Sequence, residues 1–186
     1  YLDETADLNM AEKIVVNAKV SNPSACNSLE KVLIDNAIAI TAVPRLVTAL
    51  QSVGVEVRGC EVTRQYAPGV IPCTEADWAA EYLDFVIALK VVDGLDAAIE
   101  HIGQYSTGLS DGIVTENYSR AWQFVNAVDS AATYVNASTR FTDGGEFGLG
   151  AEIGISTSKI HGMGPMGLEA LTTTKYIVFG DGQVRG

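Results

Sequence analysis

Cys26 opens the chemistry of this chain, because "NPSACNSLE" at 22–30 sets a cysteine three positions after a proline, at the mouth of an expected short helix. A cysteine attacks as the thiolate, and free amide N–H groups at a helix start favour that anion. The same amides can donate to the oxyanion that forms when the thiolate adds to a carbonyl. On spacing alone, a small core side chain remains the better reading of a lone cysteine. Only two histidines, His101 and His161, exist to serve as its base, and neither is near it in sequence. His101 reads as a surface or helix-face residue and His161 as a loop contact.

A second group lies in "VNASTRFTDGGEFG" at 135–148, where a strand runs into a glycine-rich loop. Arg140 can clamp a carboxylate in bidentate fashion, with Asn136 and Ser138 as neutral donors; the alternative is a solvated arginine beside capping residues. Glu75, Asp77, Glu81 and Asp84 form an acidic group that reads by default as a solvated face. "GMGPMG" at 162–167 spells GxGxxG through Gly162, Gly164 and Gly167, yet no strand precedes it and Pro165 interrupts it. It is not a dinucleotide-binding fingerprint. The three cysteines, Cys26, Cys60 and Cys73, have neither disulfide-framework nor zinc-site spacing, so no metal is expected and a reducing, cytosolic compartment fits best.

These residues need elements to hold them. Leu8, Met10, Ala11, Ile14, Val15 and Ala18 recur at helical spacing, so a helix is expected over Ala6–Val20 with Asp3 or Thr5 as its cap. Strands are expected at "KVLID" and "VEVRG", with the helix "TAVPRLVTALQSVG" between them closed by Gly54. Residues 61–80 read as a long, irregular excursion across the surface or past the active site. "LDFVIALKVV", "SDGIVTE" and "AATYVNAS" read as strands, separated by the helices "GLDAAIEHIGQYS" and "NYSRAWQFVNAVDS". Such alternation predicts an α/β fold of three layers with a mostly parallel sheet.

The next stretch, 141–172, carries eight glycines and little periodicity and reads as a binding loop or a segment packed on protein outside this chain. After it comes the β-prone "TTTKYIVFG". The division expected is a thiol-bearing domain at 1–140 and a glycine-rich loop with a tail at 141–186. At 186 residues and 47% apolar content, the chain holds one ordinary core. Its net charge of −11 and the lack of any Lys/Arg cluster argue against nucleic-acid and membrane-surface roles. No apolar run reaches the roughly 20 residues of a spanning helix. Opening on Tyr1 rather than methionine, the sequence reads as part of something longer.

Four stretches together, "VNAKVSNPSACNSLEKVLI", "GIVTEN", "ATYVNASTRFTDGGEFGLGAEIGIST" and "HGMGPMGLEALTTTKYIV", resemble the γ-glutamyl phosphate reductase (glutamate-5-semialdehyde dehydrogenase) family of the aldehyde dehydrogenase superfamily. The resemblance runs the whole chain and matches the family's C-terminal half. It implies an aldehyde-dehydrogenase-type catalytic domain with Cys26 as nucleophile and a C-terminal strand that helps form a homodimer or higher homo-oligomer. It further implies L-glutamyl 5-phosphate as substrate, NADPH as cofactor held mainly by an N-terminal domain absent here, and a role in proline biosynthesis. Asn136, Ser138 and Arg140 then face substrate, and Glu81 falls near the position that contacts the nicotinamide ribose. Leu109, Met163 and Thr174 depart from a histidine, an arginine and a tyrosine common in relatives. The rival readings are a non-enzymatic assembly fragment joined through "TKYIVF", and the C-terminal part of a bifunctional kinase-reductase.

Overall fold

The computed structural model describes residues 1–186. A first half alternates helix and strand as α1 (Leu8–Val20), β1 (Lys31–Asp35), α2 (Ala39–Ser52), β2 (Glu56–Gly59), α3 (Glu61–Tyr66), β3 (Ile71–Pro72), α4 (Glu75–Ala79) and β4 (Val86–Val92). A second half continues through α5 (Gly94–Tyr105), β5 (Ser110–Ile113), α6 (Tyr118–Ala127) and β6 (Ala132–Val135). A short hairpin, β7 (Gly154–Ser156) and β8 (Gly164–Met166), follows. Strands β1, β4, β2 and β3 form a parallel sheet in that order, and β5 pairs with β6, also in parallel.

Leu2 joins the two sheets. It bridges Ile34 on one side and Val114 on the other, both in parallel, with Leu2 N donating to the Leu33 carbonyl at 2.8 Å and Val114 N to the Tyr1 carbonyl at 2.8 Å. A single residue has no periodicity, so the sequence pattern could not reveal this rung. Beside it Asp3, fully buried, accepts from Thr115 Oγ1 at 2.8 Å and from the Arg120 guanidinium. Burial works against this carboxylate, but the hydrogen bonds from Thr5, Thr115 and Arg120 outweigh it and hold Asp3 below the usual carboxylate range.

Alternation along the strands sorts the core into layers. Val32, Ile34, Val57, Ile87 and Leu89 face Ala11 and Val15 of α1 and Ala42, Val43, Leu46 and Leu50 of α2. From the opposite face, Leu33 and Val92 meet Ala98 of α5, while Leu95, Ile113, Phe124 and Val128 tie α5 and α6 to β5. The result is the expected three-layer arrangement. Each such leucine or isoleucine contributes about 1.5–3 kcal/mol by leaving water.

Several elements differ from expectation. Asp7, not Asp3 or Thr5, caps α1, accepting from Asn9 N at 2.7 Å and Met10 N at 3.2 Å, because Asp3 is taken up in the sheet. No helix forms at Ala25–Glu30. Ser28 N turns back to the Ala25 carbonyl and Leu29 N to the Ala18 carbonyl, which carries the chain across the end of α1 straight into β1. Residues 61–80 hold two short helices and a strand: Cys60 Sγ caps α3 through Thr63 N, and Thr74 with Asp77 forms a capping box on α4.

The glycine-rich stretch contains an antiparallel hairpin, so the strand pairing is not parallel throughout. Its glycines are partly steric in origin: a Cβ on Gly167 would stand 2.7 Å from the Leu149 carbonyl. From 172 to 186, where a terminal strand is expected, the single chain takes no regular structure, and Tyr176, Ile177, Val178 and Phe179 are 69–95% exposed.

Candidate active site

Cys26 is exposed and lies on the turn between α1 and β1, at a cleft of about 150 Å³ whose lining also includes Glu30, Lys31, Trp78, Glu81 and His101. The expected helix dipole is missing, since no helix starts here. What remains of that expectation is the pair of amides: the N–H groups of Cys26 and Asn27 donate no hydrogen bond within the chain. Two unpaired N–H donors beside a sulfur are what an oxyanion needs.

Behind the thiol the turn is bolted down by Asn27, which is only 6% exposed. Its Nδ2 donates to the Thr142 carbonyl at 2.8 Å, its Oδ1 accepts from Arg140 Nη1, and its own carbonyl accepts from Thr139 Oγ1 at 2.7 Å. Arg140 Nε also donates to Ser21 Oγ at 3.0 Å. The two expected groups therefore meet, since Arg140 is packed against the residue that follows Cys26. Its Nη2 has no partner within the chain.

The other two residues of that group have structural duties. Ser138 is buried, and its Oγ accepts from Arg140 N at 3.4 Å. Asn136 has a positive φ of 56° and commits both ends of its amide to Thr115, accepting from its N and donating to its O at 2.9 Å each, which closes the end of the β5–β6 pair. Asparagine tolerates that left-handed conformation better than most residues.

Of the acidic group, Asp77 is not a solvated residue. It is 5% exposed and accepts from Arg58 Nη1 at 2.7 Å, Tyr82 Oη at 2.7 Å, and Thr74 N and Oγ1 at 2.7 and 2.8 Å. Burial alone would raise its pKa, but these donors hold it far below the usual carboxylate range. Glu81 is exposed, lines the cleft with Cys26, and its carboxylate makes no hydrogen bond within the chain.

His101 is also not on a solvated face. It is 7% exposed, its ring lies 5.5 Å from Trp78 and 4.6 Å from Tyr105, and Nδ1 is 3.0 Å from Lys90 Nζ. Burial first, then the Lys90 charge, pushes it down to about 4, so the imidazole is neutral near pH 7. His161 is exposed, in the hairpin, with Nε2 2.5 Å from the Ala170 carbonyl. In the same hairpin, the GxGxxG match spans β8 and is followed only by a three-residue 3-10 turn, Glu169–Leu171, so it opens no helix that could bind a phosphate.

Comparison with known proteins fits this architecture. No protein-family model matches the chain. γ-Glutamyl phosphate reductase from Thermoanaerobacter pseudethanolicus is 58% identical over 185 residues, covering 100% of this chain and 45% of that protein. The crystal structure of γ-glutamyl phosphate reductase from Thermotoga maritima superposes with a TM-score of 0.95 at 56% identity, over 100% of this chain and 45% of that one. By sequence and fold, the chain matches the γ-glutamyl phosphate reductases over its whole length. It spans about 45% of the length of these relatives. The Saccharomyces cerevisiae γ-glutamyl phosphate reductase is more distant, with TM-score 0.59 and 33% identity over 80% of this chain and 37% of that one. An acetylating aldehyde dehydrogenase from Geobacillus thermoglucosidasius shares the fold at TM-score 0.72 and 18% identity, over 100% of this chain and 51% of that one. No helix is long and apolar enough to cross a membrane.

Sequence reasoning missed Asn27, Thr139 and Thr142. Their role is to join two turns, and such contacts leave no mark in periodicity; an asparagine directly after a candidate nucleophile was the one available hint.

Proposed function

We propose that this chain carries the thiol-bearing half of an NADPH-dependent γ-glutamyl phosphate reductase, which converts L-glutamyl 5-phosphate to L-glutamate 5-semialdehyde in proline biosynthesis. The observation that carries the reading is the exposed Cys26 sulfur beside two unpaired amides, on a cleft that also presents the unengaged carboxylate of Glu81. The Cys26 thiolate attacks the acyl carbon, the C–S bond forming as the carbonyl π pair moves onto oxygen; the adduct then collapses, and phosphate leaves with the electron pair of the broken C–O bond. The N–H groups of Cys26 and Asn27 donate to the oxyanion of the tetrahedral adduct. Arg140, through the unpartnered Nη2, is the candidate for the α-carboxylate, with Ser138 and Asn136 shaping its turn.

When bound, NADPH supplies the hydride that reduces the Cys26 thioester. The residues present fit such a group: a free carboxylate at Glu81 is an acceptor suited to ribose hydroxyls, and it shares the cleft with the sulfur. The nucleotide's main contacts belong to an N-terminal domain outside these residues. Reduction of a thioester calls for no deacylating base. That accords with a neutral, buried His101 bound to Lys90 and a His161 bonded within the hairpin. We assign residues 1–140 to the catalytic domain and 141–186 to a loop and tail that serve a cytoplasmic homo-oligomer. The apolar run Tyr176–Phe179, exposed in the single chain, favours that use.

The test is made on the full-length enzyme. With Cys26→Ser, phosphate release and NADPH oxidation are expected to fall to background while assembly persists, and mass spectrometry of the wild type is expected to trap the acyl group on Cys26. Retained activity in Cys26→Ser overturns the mechanism. The 186-residue chain alone is expected not to oxidise NADPH.

A further inference from the structure

Glu81 makes no bond of its own, so its place on the cleft depends on what holds its neighbours. The loop Ala80–Phe85 between α4 and β4 includes Leu83 in the left-handed region, φ 54°, a conformation that a non-glycine residue keeps only when its surroundings impose it. Three groups impose it. Lys31 Nζ donates to the Ala80 carbonyl, Tyr82 Oη donates to Asp77 Oδ1 at 2.7 Å, and the carboxylate of Glu30 takes both of the next amides, Tyr82 N at Oε2 and Leu83 N at Oε1, each at 3.3 Å.

Of these three, Glu30 stands closest to the thiol turn. Four residues after Cys26, it is anchored by Lys19 Nζ at 3.4 Å, and the Lys19 side chain is fully buried at the end of α1. The same end of α1 holds the turn through Leu29 N on the Ala18 carbonyl at 3.0 Å and Ser28 Oγ on the same carbonyl at 3.4 Å. One carboxylate thus touches the framework of the sulfur with one edge and the Glu81 loop with both oxygens. Its side chain is 13% exposed, so water competes little for these bonds.

We propose that Glu30 is a positioning residue, fixing the Ala80–Phe85 loop against the Cys26 turn so that the Glu81 carboxylate faces the cofactor at a set distance from the sulfur. The inference rests on the function proposed above, and it predicts that cofactor affinity, rather than thiol reactivity, responds to Glu30. Aspartate at this position keeps a negative charge for Lys19 but withdraws it by one methylene from the two amides.

The test uses the full-length enzyme with Glu30→Asp, and with Glu30→Gln combined with Lys19→Met, a pair that leaves no unpaired buried ion if the first variant folds poorly. Three quantities are read: hydrogen exchange at Tyr82 and Leu83, NADPH affinity by fluorescence titration, and the rate of Cys26 alkylation without cofactor. In both variants, exchange at these amides is expected to rise by about tenfold or more and NADPH Kd by about tenfold, with alkylation within about twofold of wild type. A residue that merely supports the fold would change alkylation along with affinity, and that pattern overturns the proposal. So does an NADPH Kd unchanged in both variants. Failure of the underlying function is distinct: it is read from Cys26→Ser keeping its activity.

Discussion

The side-chain amide of Asn27 donates to the carbonyl of Thr142 at 2.8 Å, joining two turns 115 residues apart in the chain. Asn27→Ala removes this bond together with the acceptor that Arg140 uses. A cost of about 1–3 kcal/mol is expected, since Arg140 and the Thr142 carbonyl both lose a partner. Thermal unfolding checks it. Asn27→Asp, which keeps the acceptor for Arg140 but not the donor for Thr142, should fall between wild type and alanine.

Thiol labelling separates the three cysteines. Cys26 is exposed, whereas Cys60 and Cys73 are partly buried, and burial pushes the Cys73 thiol up to about 12, where almost no thiolate exists at neutral pH. Limited alkylation at pH 7 followed by peptide mass spectrometry is expected to find Cys26 modified first and Cys73 last. Equal modification of all three would contradict the exposed turn.

Acid should weaken the fold in two stages. His101 has a folded pKa of about 4, below its ordinary value of 6.5, so between those values the unfolded chain binds a proton that the folded chain refuses, and stability falls as pH drops through that window. His101→Gln is expected to flatten this part of the curve. Asp77 has a depressed folded pKa, so its contribution is complete above the ordinary carboxylate range and is lost as pH falls through and below it. Urea unfolding at stepped pH resolves the two.

Core truncation provides the contrast. Leu50, fully buried among residues of α2, β2 and β4, should cost roughly 2–5 kcal/mol as Leu50→Ala. Against a typical domain stability of about 5–15 kcal/mol this is large, and calorimetry would measure it. Native Leu50→Ala protein is nevertheless expected to label at Cys26 as the wild type does, because Leu50 does not line the cleft that holds the thiol.

How much of this was legible varied with the kind of signal. β1, α2, β2, β4, α5 and α6 carry repeated apolar positions over four to fourteen residues, and Gly54, with φ 82°, marks the end of α2 as expected. Cys26 stands out as a candidate by type and by family likeness, but its setting does not, because Ser28 and Leu29 turn back on the Ala18 carbonyl instead of continuing a helix. Asp77 reads as one of a solvated acidic group and His101 as a surface or helix-face residue, and both are buried. Their burial depends on partners such as Arg58, nineteen positions away, and Lys90 on the neighbouring strand, which one-dimensional patterns do not contain. Glu30 carries no signal of its role in the sequence, because the amides it accepts from, Tyr82 and Leu83, lie 52 and 53 positions away.

The Leu2 rung has a mechanical consequence. Within the sheet, β1 and β5 are linked by the backbone only through Tyr1–Asp3, and Leu33 from one half and Ile113 from the other both line the cleft. Those three residues are the seam between two half-sheets, so the width of the cleft is fixed by a join that a substitution such as Asp3→Ala, which frees Arg120 and Thr115 there, would loosen without removing any group that lines it.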